Sequence, residues 1–195
     1  MPEPKHIPAP DADLIFYPNF YSEAEAAELY QQLLQQTEWQ QEHIKMFGKE
    51  VLVPRLVAWY GEEGAVYMYS GVRHVPLPFT TLLLKIRQKI GKTLQKQFNA
   101  VLLNRYRTGS DSMGWHSDNE PELGPEPVIA SLSLGATRSF QLRHRQHKDQ
   151  KIKLELNSGS LLIMAGQTQH FWQHQLPKTS KPVGERINLT FRKIN

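Results

Sequence analysis

Arg186-Ile187-Asn188-Leu189-Thr190-Phe191-Arg192 alternates polar and apolar side chains without a break. Successive side chains of a β-strand point to opposite faces, so this stretch reads as a strand with Ile187, Leu189 and Phe191 turned into a core. Arg186, Asn188, Thr190 and Arg192 then share the other face. Two arginines with two neutral hydrogen-bonding groups on one face make a cradle for a dicarboxylate, because a guanidinium fork pairs with carboxylates through charge-assisted hydrogen bonds. A sheet with one wet face would show the same alternation. The reading therefore depends on what else the chain can bring to that face.

The second element is Trp115-His116-Ser117-Asp118. On an extended strand His116 and Asp118, at i and i+2, project to the same side. An imidazole and a carboxylate supply two members of the two-His-one-carboxylate facial triad, a metal set that leaves positions open for reactants. A third ligand has to come from another strand. His170 and His174 are the candidates, and spacing alone does not choose between them. His144 and His147 sit in the basic run from Arg143 to Lys148 and read as solvated loop residues. His6, His43 and His74 have no carboxylate at a useful spacing. The chain has no cysteine, so thiolate ligands and disulfides are both excluded.

Working outward, the 195 residues are enough for one domain with a full core. No run approaches the ~18 apolar residues of a membrane span. Met1 to Asp13 is rich in proline and acidic residues and reads as a flexible arm, not as a secretory signal. The lack of cysteine suits a reducing compartment, which points to the cytoplasm, or to the nucleus in a eukaryote. The formal net charge of +4 suits an anionic partner such as nucleic acid as well as it suits a plain solvated surface.

Leu14 to Tyr17 is a short strand stopped by Pro18. Ser22-Glu23-Ala24-Glu25 is a capping box, in which the serine and the glutamate three residues on satisfy free backbone N–H groups. It opens a helix with Ala26, Leu29 or Tyr30, and Leu33 or Leu34 on one stripe. A second helix is expected over about 79–98, with Leu82, Ile86, Ile90, Leu94 and Phe98 on its buried face. Strands are expected at Val51 to Val53 and Leu56 to Tyr60, at Val66 to Tyr69 and at Val101 to Tyr106. More follow through Val128 to Leu142, with a turn or bulge at Gly135, and at Lys151 to Leu156, Ser160 to Met164 and Phe171 to Leu176. Many short strands after a helical start describe an α+β, mainly β chain of the jelly-roll kind. Met46-Phe47-Gly48 reads as a hairpin tip whose large residues cap the core or wedge into a base stack. Tyr67 and Tyr69 share one strand face, which suits ordinary packing or a stacking wall for a flat ring.

Asn104-Arg105-Tyr106, His116-Ser117-Asp118, Gly159 to Met164, His174 and Arg186-x-Asn188-x-Thr190-x-Arg192 together resemble the AlkB family of iron(II)- and 2-oxoglutarate-dependent nucleic-acid demethylases, its vertebrate-type subgroup most of all. The similarity runs in order from about Phe47 to Ile194. The Arg-x-Asn-x-Thr-x-Arg motif after a histidine is specific to the family; His-x-Asp alone is not. The resemblance implies one domain over 1–195: a double-stranded β-helix (jelly-roll) core at about 100–195, N-terminal helices, and a nucleotide-recognition lid of hairpins at about 40–75. It implies Fe(II) on His116, Asp118 and His174, with His170 as a neighbour. It implies 2-oxoglutarate as co-substrate, Arg186 on its distal carboxylate, Arg192 near the carboxylate at the iron, and Asn104, Tyr106, Asn188 and Thr190 completing the pocket, with O2 as the oxidant. Phe47, Arg55, Tyr67, Tyr69, Trp115 and Glu120 are the implied substrate-binding residues.

The implied reaction is oxidative demethylation of N1-methyladenine and N3-methylcytosine in alkylated DNA, with RNA as a second candidate substrate, by a monomer that needs no membrane. Formaldehyde, succinate and CO2 are the expected products. Arg143, Arg145, Lys148, Lys178 and Lys181 are the basic residues available to track phosphates. Met46-Phe47-Gly48 resembles members that prefer double strands, whereas Trp115 to Asp118 and Gln169 to His174 resemble members that prefer single strands. The rival reading is a 2-oxoglutarate-dependent hydroxylase of a protein or small molecule, which would keep the triad and Arg186 but need no base pocket.

Overall fold

Two facing sheets carry the chain, and the Arg186–Arg192 strand lies inside the larger one. The computed structural model describes residues 3–46, 49–65, 67–69 and 72–195, with backbone alone at 44–46, 49–50, 67–69 and 72–74. In chain order the elements begin β1 (Lys5–His6), β2 (Asp13–Tyr17), α1 (Glu23–Gln36), β3 (His43–Met46), β4 (Lys49–Leu52), β5 (Leu56–Gly61), β6 (Tyr67–Tyr69), β7 (Val72–His74) and β8 (Leu77–Pro78). They continue with α2 (Thr81–Leu94), β9 (Ala100–Tyr106), β10 (Met113–His116), a 3-10 turn (Pro121–Leu123), β11 (Ile129–Gly135) and β12 (Arg138–His144). The last are β13 (Lys151–Leu156), β14 (Leu161–Ala165), the single helical turn α3 (Thr168–Phe171), β15 (Trp172–Leu176) and β16 (Arg186–Arg192).

The major sheet runs β1-β2-β14-β11-β16-β9-β5-β8 and the minor sheet β10-β15-β12-β13. Every neighbouring pair is antiparallel except β5 with β8, which is parallel. This is the expected jelly-roll arrangement of mainly antiparallel strands in two layers. Two further hairpins, β3–β4 and β6–β7, stand apart from these sheets. The β3–β4 register ends at Met46 opposite Lys49. Phe47 and Gly48 of the expected tip lie outside the described residues, as do the side chains of Tyr67 and Tyr69.

Strand alternation sorts the core into two. On the outer side of the major sheet, Val101, Leu103, Leu132, Ile187, Leu189 and Phe191 pack with Ala26 and Leu33 of α1 and with Leu83, Ile86 and Ile90 of α2. On the inner side, Leu14, Ile129, Leu162 and Met164 meet Phe140, Leu142, Trp172 and Leu176 of the minor sheet. Each such side chain contributes roughly 1.5–3 kcal/mol when fully buried, so packing and not propensity holds the short helices in place. The α1 capping box forms as expected: the Ser22 N–H donates to Glu25 Oε2 at 2.8 Å, and the Glu25 N–H to Ser22 Oγ at 3.3 Å. The second helix is shorter than its periodicity suggested. It stops at Gln95, which takes a left-handed conformation (φ 53°), so Phe98 packs from beyond its end; in its first turn Leu83 and not Leu82 is the buried residue.

The apolar segment from Val128 to Leu142 does not fold back as one hairpin. Gly135 (φ 86°) ends β11 in the major sheet, and the chain crosses to begin β12 in the minor sheet. A Cβ at Gly135 would lie 2.5 Å from the Glu185 carbonyl oxygen, so only glycine fits this crossing.

Two expectations need correction. The described part of the N-terminal stretch, residues 3–13, is docked: Lys5 pairs with Phe16, and the Pro10 carbonyl accepts the Trp172 indole N–H at 2.8 Å. His144 is not a solvated loop residue, because β12 continues through it and turns it inward, where it is 3 % exposed. Its Nδ1 accepts the Gln146 and His147 backbone N–H groups at 3.1 and 3.0 Å, so its proton sits on Nε2, facing Asp11 Oδ2 at 3.3 Å. That tautomer makes the Asp11–His144–His147 group a dock for the N-terminal stretch. It also leaves His144 no lone pair for a metal.

Candidate active site

β10 and β15 lie side by side in the minor sheet with His116 directly opposite His174. The register slips between Met113 and His116, a bulge that lets both of those residues face the inter-sheet cavity although they are three positions apart. The two imidazoles meet edge to face, ring centres 4.2 Å apart. Asp118 follows on the chain, and its Oδ1 lies 3.7 Å from His116 Nε2. One ligand atom from each of His116, Asp118 and His174 lies within 4.8 Å of the others. His170, on the α3 turn, is rotated out and hydrogen-bonds the Pro125 carbonyl instead.

Each member of the triad is held by a second group. His116 Nδ1 donates to the Gly114 carbonyl at 2.8 Å, which leaves Nε2 as the free lone pair. Asp118 Oδ2 accepts Arg192 Nη2 at 2.8 Å and Nε at 3.3 Å, leaving Oδ1 toward the histidines. The Asp118 backbone N–H donates to Gln169 Oε1 at 2.9 Å. Burial lowers both imidazoles from their ordinary range, His174 to about 3, so both are neutral donors near pH 7. Burial by itself would raise the Asp118 carboxyl, but Arg192 and the two histidines outweigh it and hold the group at about 2.

β16 supplies the facing wall. Arg186, Asn188, Thr190 and Arg192 all border the cavity from the major sheet, with Asn104 and Tyr106 beside them on β9. Arg186 is 2 % exposed and donates from Nη2 to Ser133 Oγ at 2.9 Å, while its Nε is enclosed with no hydrogen-bond partner among the described residues. Asn188 Nδ2 donates to Ser131 Oγ and the Leu132 carbonyl, both at 2.9 Å, and Thr190 Oγ1 donates to Asn188 Oδ1 at 3.0 Å. The remaining lining is Ser131 and the apolar Leu102, Met113, Phe140, Met164 and Leu176. A triad of buried Asp118 and His174 with half-buried His116 thus faces a buried guanidinium across a small chamber with polar walls and an apolar remainder.

The 2OG-Fe(II) oxygenase superfamily matches residues 13–192. Human "DNA oxidative demethylase ALKBH2" is 38 % identical over 99 % of this chain and 77 % of its own length. The chain belongs to the AlkB family. Human "Alpha-ketoglutarate-dependent dioxygenase alkB homolog 3" is 40 % identical over 91 % of this chain and 65 % of its own length. The solved structure of OsALKBH1 superposes with a TM-score of 0.65 at 16 % identity, covering 98 % of this chain and all of that one, a likeness of fold. As an AlkB-family member the protein is an Fe(II)/2-oxoglutarate dioxygenase, with iron, 2-oxoglutarate and O2 as its reactive partners. The donor set fits. Two neutral imidazoles and one ionised carboxylate suit a divalent iron, and the unpaired Nε of buried Arg186 suits a carboxylate.

The expected substrate-side residues are spread around this chamber. Arg55 is buried and donates to Asn104 Oδ1 at 2.7 Å, so it braces the AlkB-type pocket wall from behind. Trp115, on the β10 bulge, does not line the chamber; the Arg143 guanidinium covers its indole at 4.2 Å, itself fixed by Gln173 Oε1 at 2.9 Å. Glu120 carries an enclosed Oε2 with no hydrogen-bond partner among the described residues. Arg145 donates to Ser117 Oγ at 2.8 Å, and Lys148, Lys178 and Lys181 are exposed. Ser131, Ser133 and Gln169 were not anticipated. The two serines could have been found, since they are the polar positions at period two in an otherwise apolar strand. Gln169 gives no such signal.

Among the described residues, no helix is long and apolar enough to cross a membrane.

Proposed function

We propose that the protein repairs alkylated DNA by oxidative demethylation, removing the N-methyl group of N1-methyladenine and N3-methylcytosine as formaldehyde. The observation that carries this reading is the His116–Asp118–His174 triad opposite the enclosed Arg186 guanidinium, in a chain that shares 38 % of its residues with a protein named as a DNA oxidative demethylase.

His116 Nε2, Asp118 Oδ1 and His174 would hold Fe(II) in this reading. Bound there, Fe(II) would supply, with 2-oxoglutarate and O2, the oxidising chemistry for the methyl group, succinate and CO2 being the products of the co-substrate. The chain's own residues do the rest. Arg186 takes the distal carboxylate of 2-oxoglutarate through a fork whose Nε is otherwise idle. Asn104, Tyr106, Asn188 and Thr190 line the length of that molecule. Arg192 keeps Asp118 ionised and aimed, and the apolar lining keeps bulk water from the reacting methyl.

The target base has to leave its stack, since its methyl group cannot reach the metal inside a duplex. Glu120 brings an unpaired acceptor to read it, and Tyr67, Tyr69 and Trp115 are assigned to hold it. The hairpins at about 40–75 act as the lid, with Phe47 filling the gap left by the flipped base. Arg143, Arg145, Lys148, Lys178 and Lys181 meet the phosphates. The protein works as an intracellular monomer, with methylated RNA as its secondary substrate.

The test is to incubate the protein with Fe(II), 2-oxoglutarate and an oligonucleotide carrying N1-methyladenine, single- and double-stranded, and to measure formaldehyde and restored adenine. Turnover is expected on at least one form, lost in Asp118→Ala while DNA binding stays. Absence of turnover on both forms overturns the reading.

A further inference from the structure

Arg138 is the first residue of β12, directly after the chain crosses from the major to the minor sheet. It is 3 % exposed. Its Nη1 donates to the Thr108 carbonyl at 3.2 Å, and its Nη2 to the Asp111 and Pro177 carbonyls at 3.0 and 2.8 Å. Those three acceptors belong to two different loops, β9–β10 and β15–β16. The first loop follows Tyr106, and the second follows Leu176, and both residues line the active-site chamber.

The same guanidinium has a second neighbour. Its Cζ lies 5.9 Å from the centre of the Tyr106 ring, and the Cζ of Arg186 lies 5.3 Å from that ring. Two buried cations therefore share one phenol. Among the described residues neither forms an ion pair with a carboxylate. Asp111, the acid nearest Arg138 along its bonded partners, gives its carboxylate to Arg107 at 2.7 Å and only its carbonyl to Arg138. Burial lowers both guanidiniums from their ordinary value, Arg186 to about 10, with Arg138 adding to the lowering at Arg186. The Asp111 carboxylate offsets the Arg138 charge only in part, since Arg107 holds it directly and burial still lowers Arg138; enclosing two like charges with so little compensation is costly, and a bound dianion relieves it.

We propose that Arg138 is a positioning residue of the co-substrate pocket: it braces Tyr106 and the two flanking loops, and it adds a second positive charge behind Arg186, so that the pocket selects a 2-oxo acid with two carboxylates over one with a single carboxylate. This rests on the reading of Arg186 as partner of the distal carboxylate. One added charge at ~10 Å and an effective dielectric of ~20 shifts the affinity of a distal carboxylate by about tenfold.

The test measures binding and not turnover. The protein is loaded with Mn(II) without oxygen and titrated calorimetrically with 2-oxoglutarate and with 2-oxopentanoate, which has the same chain length but no distal carboxylate. In Arg138→Met the Kd for 2-oxoglutarate should rise about tenfold, with that for 2-oxopentanoate changed less than twofold and Mn(II) affinity unchanged. Arg138→Lys, which keeps the charge but not the fork, should restore most of the preference. Equal weakening of both ligands, or no change in either, overturns the proposal. If Arg138→Met does not fold, Arg138→Lys decides: a folded lysine variant that has lost the dianion preference also overturns it. Arg186→Met is the control for the underlying reading. If it keeps a normal preference for 2-oxoglutarate, the Arg186 assignment fails; if it loses the preference while Arg138→Met does not, only the present proposal fails.

Discussion

Replacing Gln169 by methionine tests whether the metal-ligand loop is held by one buried amide. Gln169 is fully buried on the α3 turn, and its Oε1 accepts the backbone N–H of Asp118 at 2.9 Å. Methionine has a similar volume and fills the space, so the cavity term stays small. What is lost is the acceptor, which strands a buried N–H at a cost of about 1–3 kcal/mol. Gln169 Nε2 has no hydrogen-bond partner among the described residues, so removing it offsets part of that cost. The net expectation is ~1–2 kcal/mol of stability, a urea midpoint lower by roughly 0.5–1 M. The functional effect should be larger. Outer-shell partners of a metal site are typically worth about 10–100-fold in metal affinity, because they aim the ligand. Titrating metal-free protein with Co(II) should therefore show at least about tenfold weaker binding, alongside the modest shift in urea. A variant that binds Co(II) within twofold of the parent would refute the reasoning, since Asp118 would then be aimed by Arg192 alone.

Acid should separate folding from metal binding. His174 is depressed to about 3 by burial, so the folded chain binds fewer protons than the unfolded one below about pH 6.5. Metal-free stability should fall as pH drops from 6.5 toward 3. Metal affinity of the folded protein should begin to fall only below the ordinary imidazole range, because burial lowers both His116 and His174 and so keeps protons from competing for them; a tenfold loss per pH unit starting at 6.5, seen by Mn(II) titration, would contradict this. Gly135→Ala should destabilise the protein by roughly 2–4 kcal/mol, from the left-handed backbone and the crowding it creates. Its Cβ would press on the Glu185 carbonyl at 2.5 Å, and Gly135 pairs with Arg186, so the affinity for 2-oxoglutarate should fall with the melting temperature; an unchanged melting temperature would sink the argument.

The β16 strand was legible because its alternation is uninterrupted and both faces have a use. Ile187, Leu189 and Phe191 face the helices, and the four polar residues face the chamber. Ser22 and Glu25 were legible for a related reason, since a capping box is complete within four residues. The third triad ligand was different. His170 and His174 are four apart, a spacing compatible with one side of a helix or of a strand. The chain does both in turn, using one helical turn through Phe171 and then a strand from Trp172. The resemblance to the family points to His174, and the physical reason is its pairing with His116, across 58 residues of chain. His144 was misread for want of its partner, Asp11, which lies 133 residues away. Gln169 and Arg138 were invisible because they bond to backbone groups, and a backbone partner leaves no trace in side-chain pattern.

These cases share a physical cause. Periodicity reveals what each face of a strand carries, but the site exists only where a face of one sheet meets a face of the other. The triad comes from the minor sheet and the loop beside it, and the arginine cradle from the major sheet. What sets them opposite each other is the crossing at Gly135: the glycine marks a turn, but no side-chain pattern says that the chain changes sheets there. The residue that opens the strand after that crossing is Arg138, and it reaches back to Tyr106, which pairs directly with Arg186 in the major sheet. The crossing thus does two things in three residues. It closes the jelly roll, and it delivers a second guanidinium to the back of the pocket, which is why a residue with no motif of its own ends up beside the most specific motif in the chain.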